Sequence, residues 1–148
     1  LIEDLTRKGT VRVTAQVEAN ARPIETVAVI DEGGVDCHRK SSETWAAEIA
    51  TALLEQYAVV DRSNVDDVLK EQRTSMEVTF DASALVEAGR LVGAEGLVFV
   101  KAGCAAGRDV VDVKMTDTTL GTLCWSMHGE NADAGILVKR LQEARQSP

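Results

Sequence analysis

Cys37 and His38 stand side by side, and a neighbouring imidazolium can lower a thiol pKa enough to make it a nucleophile. Nothing near them in sequence supplies an oxyanion hole or a third group to orient the imidazole, so the pair is not read as catalytic. Asp31-Glu32-Gly33-Gly34 follows an apolar run, where α/β folds often hold a ligand, yet its two glycines lack the spacing of a dinucleotide fingerprint. It reads as a loop. Cys37 follows the apolar run at 26–30 and Cys104 follows a later one at 97–100, which places both beyond the same edge of a parallel sheet. They are therefore expected to lie close enough for a disulfide under oxidising conditions, with Cys124 left unpaired. His128 at that edge would make Cys37, His38, Cys104 and His128 a scattered zinc set of nitrogen and sulfur ligands.

Two acidic features have simpler uses. Asp61-Arg62 sits where a strand passes into a helix and suits positioning or capping. Asp66 and Asp67 are adjacent on a helix start, so they point about 100° apart and answer the helix dipole rather than a cation. The chain offers no G-x-S-x-G elbow, Gly-rich phosphate loop, H-E-x-x-H or CxxC pair. No catalytic, cofactor-binding or metal-ligating residue is assigned, and no cofactor is expected. The expectation is a protein that is not an enzyme; the alternative is a small-ligand or metal-binding enzyme using the loop after the strand at 26–30.

The 148 residues suit one globular domain, and 45% hydrophobic content allows a sizeable core. Only 3% are aromatic, so that core is built from Val, Leu, Ile and Ala. A net charge of −8 without a compensating run of Lys and Arg argues against nucleic acid as a partner. No apolar stretch approaches the roughly 18–20 residues of a membrane-spanning helix. The start at Leu1 rather than Met is read as a cut from a longer precursor, with any export signal or lipid anchor lying upstream.

The elements that hold these residues follow from periodicity. Residues 10–18 alternate Val11, Val13, Ala15 and Val17 with polar residues, as in a half-buried edge strand, and Asn20–Pro23 breaks the pattern. We place a boundary there: an extension, 1–23, and an α/β domain, 24–148. TVAVI at 26–30 suits a central strand covered on both faces. From Ser42 the apolar residues Trp45, Ile49, Leu53 and Tyr57 recur at helical spacing, and Ala58 to Val60 form a short strand. Helices are expected from Ser63 and after Asp81, the second stopping at Gly93; Leu97 to Val100 is a buried strand. A Gly- and Ala-rich loop, a hairpin over 111–129 turning at 117–121, and a helix over 132–144 anchored by Ile136, Leu137 and Leu141 complete the chain. In the hairpin Trp125 and Met127 face the core and Cys124 points oppositely. The fold class is α/β, with a mixed sheet in two or three layers: a strand-helix-strand-helix-helix-strand core, then a β-hairpin and a C-terminal helix.

VAVID at 27–31, VVDRSNVDDVLKEQ at 59–72 and LVGAEGLVFV at 91–100 occur in the order used by the curli-secretion-channel (CsgG) and TolB amino-terminal families, which this chain resembles from about residue 24 to 146. Asp61, Arg62, Gln72 and Gly93 stand at the positions of that family's structural motif. The hairpin VDVKMTDTTLGTLCWSMHG departs from the family's Thr-Gly turn by Leu120, inserted before Gly121. The resemblance implies a periplasmic domain, outer-membrane-anchored through a segment upstream, that acts in assembly, secretion or regulation by contact with another envelope protein or by self-association. Although the chain resembles the secretion channel's soluble part, its connections at 101–109 and 77–81 are too short for barrel hairpins, so it is expected to make no transmembrane barrel itself.

Overall fold

The computed structural model describes residues 11–19, 21–34, 41–60 and 93–146. In chain order these form β1 (Arg12–Val17), β2 (Thr26–Gly34), α1 (Ser42–Leu53), β3 (Ala58–Val59), β4 (Gly96–Ala105), β5 (Arg108–Asp117), β6 (Leu123–Glu130) and α2 (Ala134–Gln146). The strands make one mixed sheet in the order β1-β6-β5-β4-β2-β3. β2 runs parallel to β3 and β4, while β4-β5-β6-β1 is antiparallel throughout. The mixed α/β class read from the sequence is the one observed, and Arg12–Val17, within the stretch read as an edge strand, forms one. The helices expected from Ser63 and after Asp81, and the motif residues Asp61, Arg62 and Gln72, lie outside the described residues.

β2 shows no alternation because both of its faces are covered: Val27, Ala28, Val29 and Ile30 are all buried. Val27 and Val29 belong to the main core, Ala28 and Ile30 to a smaller cluster with Leu97 and Phe99 on the other face. β5 is covered differently. Val111, Val113 and Met115 are buried while Asp112 and Lys114 are exposed, the period-two signature of a strand with one wet face.

Both described helices lie on the main-core face, α1 against β2 and β4, α2 against β1 and β6, and each against the other. Ser41 caps α1 by accepting a hydrogen bond from the Thr44 N–H at 3.2 Å, and Trp45, Ile49 and Leu53 then fall on one side. Asp133 plays the same part for α2, its Oδ1 accepting from the Ile136 N–H at 2.8 Å. The face of α2 that is buried carries Ala134, Leu137, Val138 and Leu141. Ile136, expected as an anchor, is instead 43% exposed, since it is one residue, about 100°, away from Leu137. Leu137 lies over Gly129, where a Cβ would meet its Cδ2 at 2.8 Å, so the glycine is what lets helix and sheet approach.

Two boundaries and one register differ from the sequence reading. Asp31-Glu32-Gly33-Gly34 is not a loop: β2 continues to Gly34, pairing with Ala102 across a register shift that absorbs the extra residues. The Gly- and Ala-rich stretch after Val100 likewise continues as strand to Ala105, because it pairs with β5, and a two-residue turn at Ala106 (φ 53°) and Gly107 (φ 77°) closes the hairpin. In β6 the partner of Met115 is Trp125 and that of Thr116 is Leu123, so Cys124 is an extra, bulged residue. That bulge turns Cys124 into the same core as Trp125, contrary to simple alternation.

Candidate functional site

The sheet face turned away from α1 and α2 is divided by composition. On β2 and β4 it is the buried cluster of Ala28, Ile30, Leu97 and Phe99. On β5, β6 and β1 the even-numbered residues other than Val110 and the core residue Cys124 are polar, and they open into a concavity of about 590 Å³. Its lining includes Thr14, Gln16, Lys101, Asp112, Lys114, Ser126 and His128, with Glu32 from β2. Lys114 joins the halves by laying its ammonium over the Phe99 ring, 5.7 Å from the centroid.

The register of the hairpin sets the charges against one another. Asp112 lies opposite His128, and His128 Nδ1 is 2.7 Å from Asp112 Oδ1, while Nε2 is 3.5 Å from Glu130 Oε2. Arg108 closes the row with an ion pair to Glu130 at 2.8 Å. Asp112's hydrogen bond, opposed by partial burial and aided by Glu130, holds the His128 pKa above its ordinary value. The folded protein therefore binds this proton more tightly than the unfolded chain. The resulting stabilisation is full below about pH 6.5 and fades as pH rises through the raised value. It is modest, since the side chain is 41% exposed. An NMR titration is expected to place the His128 midpoint above that of a free histidine, and Asp112→Asn to bring it down; equal midpoints in the two proteins would contradict the assignment.

Ser126, His128 and Asp112 are the residue types of a hydrolytic triad, but the geometry is not one. Ser126 and His128 are two apart on one strand, roughly 6.6 Å between Cα atoms, and His128 Nε2, the nitrogen that would take a serine proton, faces Glu130. What the row presents is a fixed pattern of donors, acceptors and mixed charge across an exposed sheet.

At the far end of the sheet a second polar group has a structural purpose. Asp117 is 1% exposed and its carboxylate accepts from the Arg22 guanidinium and from the N–H groups of Thr119 (2.7 Å) and Leu120 (3.1 Å). Burial pushes the Asp117 pKa up, but these hydrogen bonds together outweigh it and the value lies below the ordinary one. Thr118 Oγ1 donates to the region of the Ala94 and Glu95 carbonyls at 2.9 Å, and Glu95 Oε1 accepts from the Glu25 N–H at 2.9 Å. The Gly93-Ala94-Glu95 turn, in which Gly93 takes φ +80°, is thus tied to both the β5–β6 turn and the start of β2. Leu120, the inserted residue, sits 61% exposed in that turn, and Gly121 takes φ +70°. Asp117→Ala is expected to cost about 2–3 kcal/mol, read by urea denaturation. The ionised carboxylate's contribution is present above about pH 3.8 and lost as pH falls through the lowered value, so the mutant's deficit should shrink in acid; a constant deficit would contradict this account.

Of the cysteines, Cys124 is a free, buried thiol whose pKa is pushed up by burial and by nearby Asp117, and Cys104 is disulfide-bonded. A disulfide sulfur is no thiolate ligand, and His128 is engaged by two carboxylates, so neither Cys104 nor His128 is presented as a zinc ligand. Cys37 and His38 lie outside the described residues. Sequence reasoning missed the Asp112–His128 pair, because a turn at 117–121 without the bulge at Cys124 does not set the two opposite. It also missed Arg145, which donates to the Tyr57 hydroxyl at 2.8 Å beside Trp125 Nε1 at 3.2 Å.

A six-stranded mixed sheet with its terminal helix beside the amino-terminal strand is a fold shared with LpoB C-terminal domains. In particular, the chain is similar to the LpoB C-terminal domain from Escherichia coli, with a TM-score of 0.59 at 12% identity over 74% of this chain and 83% of that one. It is also similar to the same domain from Salmonella enterica, with a TM-score of 0.58 at 12% identity over 76% and 85%. A variant of the PelC dodecamer from Paraburkholderia phytofirmans aligns with a TM-score of 0.53 at 17% identity over 95% and 100%. At these identities the likeness establishes the fold. No protein-family model matches the sequence, and comparison with curated proteins finds no match. Among the described residues no helix is long and apolar enough to cross a membrane.

Proposed function

We propose that this chain is a non-catalytic bacterial envelope domain, periplasmic, acting in assembly, secretion or regulation through protein contacts made by the polar half-face of its sheet. The observation that carries the reading is the Asp112–His128–Glu130–Arg108 row, in which the imidazole is held on both sides by carboxylates while the face around it stays exposed. The shared fold with LpoB and PelC supports the class of protein. The narrower assignment, to the curli-channel and TolB amino-terminal families, belongs to this proposal and rests on the motifs at 27–31, 59–72 and 91–100; the division into an extension, 1–23, and a domain, 24–148, goes with it. So does a Cys37–Cys104 disulfide, which suits an oxidising compartment and gives the disulfide at Cys104 a partner in a chain of three cysteines.

Photo-crosslinking in the native host tests the reading. A benzophenone side chain at Gln16 or Lys114 is expected to give a discrete adduct, and one at Leu54, which is 59% exposed on the helix side, is not. Folded protein giving no adduct from any polar-face position would count against it. The enzyme alternative has one observation in its favour, since Glu32 lines the same concavity as His128. It predicts saturable, stoichiometric binding of a small molecule or metal by the purified chain.

A further inference from the structure

β1 ends the sheet, and along an antiparallel strand each residue turns both backbone groups to the same side, alternating residue by residue. The Glu18 N–H donates to the Cys124 carbonyl at 2.9 Å, in register with the β1–β6 ladder. Arg12, Thr14 and Gln16 therefore direct their backbone groups to β6, while Val13, Ala15 and Val17 direct theirs outward. Among the described residues no strand lies on that side. Such an edge is a template for another strand unless it is blunted, and this one has neither a bulge nor a proline.

We propose that β1 pairs antiparallel with β1 of a second copy of this chain, about a two-fold axis through Ala15. The inference rests on the contact-based function above and names one partner for it. Backbone parity permits only registers that oppose outward residues to outward residues. With the axis at Ala15, Val13 meets Val17 of the second copy, Thr14 meets Gln16, and Arg12 meets Glu18, each pair occurring twice. Moving the axis to Thr14 or Gln16 sets Arg12 against Gln16 or Thr14 against Glu18 and loses the charge match. The Ala15 register also keeps odd-numbered side chains on the helix face and even-numbered ones on the polar face, so both faces continue across the junction. Of the exposed large apolar side chains, Val17 lies on β1, Val11 directly before it, and Ile136 on α2, which packs against β1. The pairing brings two such edges together and extends the polar half-face across the dimer.

Sedimentation equilibrium of the full 148-residue chain tests this. The wild type is expected to dimerise reversibly. Arg12→Glu and Glu18→Arg, both at exposed positions, should each raise the dimer Kd about tenfold by opposing like charges twice, with circular dichroism unchanged. The double swap should restore the wild-type Kd. A chain that stays monomeric, or an assembly indifferent to these substitutions, would overturn the interface. In either case adducts at Gln16 or Lys114 with a different protein would leave the broader reading standing, so the two failures can be told apart.

Discussion

Truncating Trp125 to alanine is expected to cost about 3–5 kcal/mol and to lower the thermal midpoint by roughly 10 °C. Trp125 is 2% exposed in a chain with two tryptophans, and it stands where β1, β5 and β6 meet, opposite both Val17 and Met115. Its ring fills space that the surrounding aliphatic side chains are too small to close, and its Nε1 donates to the Tyr57 hydroxyl. Leu54→Ala and Leu120→Ser, at side chains 59% and 61% exposed, should stay within about 0.5 kcal/mol. Urea denaturation with an unchanged m-value reads the difference. A Trp125→Ala loss comparable to the surface controls would mean that the core is organised elsewhere.

Breaking the disulfide at Cys104 is expected to cost nearly as much. If its partner is Cys37, the bond closes a loop of roughly 70 residues, for which the chain-entropy argument gives about 4 kcal/mol. Cys104→Ser, Cys37→Ser and the double variant should then be equally destabilised, and reductant should bring the wild type down to their level. Peptide mapping without reductant should link the segments that carry the two residues. A double variant much less stable than either single one would contradict the pairing.

What the sequence made legible were elements whose periodicity reports one environment. Val111, Val113 and Met115 against Asp112 and Lys114 announced a one-sided strand; Val27 to Ile30 announced a two-sided one; Trp45, Ile49 and Leu53 announced α1. What was illegible depended on partners. Nothing in Lys101-Ala102-Gly103-Cys104-Ala105 favours a strand, and it is one because β5 pairs along its length. The same holds for Asp31 to Gly34 beside β4. Cys124 and Ile136 were misplaced for a different reason, since a one-residue bulge or a 100° step reverses which side of an element is buried.

The candidate site divides along the same line. Asp112 and His128 belong to one hairpin, yet they stand opposite each other only through the bulge at Cys124, which periodicity did not reveal. Arg22 and Asp117, 95 residues apart, could not have been paired from the sequence. In the sequence Asp117 read only as a turn former, which it is, through its hydrogen bonds to Thr119 and Leu120. The guanidinium that neutralises it arrives from the segment between β1 and β2, and the tertiary fold alone brings the two together.

The central claim, contact rather than chemistry, is tested most directly by an alanine scan of Thr14, Gln16, Lys101, Asp112, Lys114, Ser126 and His128 in the native host, scoring phenotype against partner crosslinking for each folded variant. The contact account predicts graded losses spread over several positions, rising with the loss of crosslinking. Loss of the phenotype confined to Asp112, Ser126 or His128, with crosslinking intact, would show that the face does chemistry and would contradict the account.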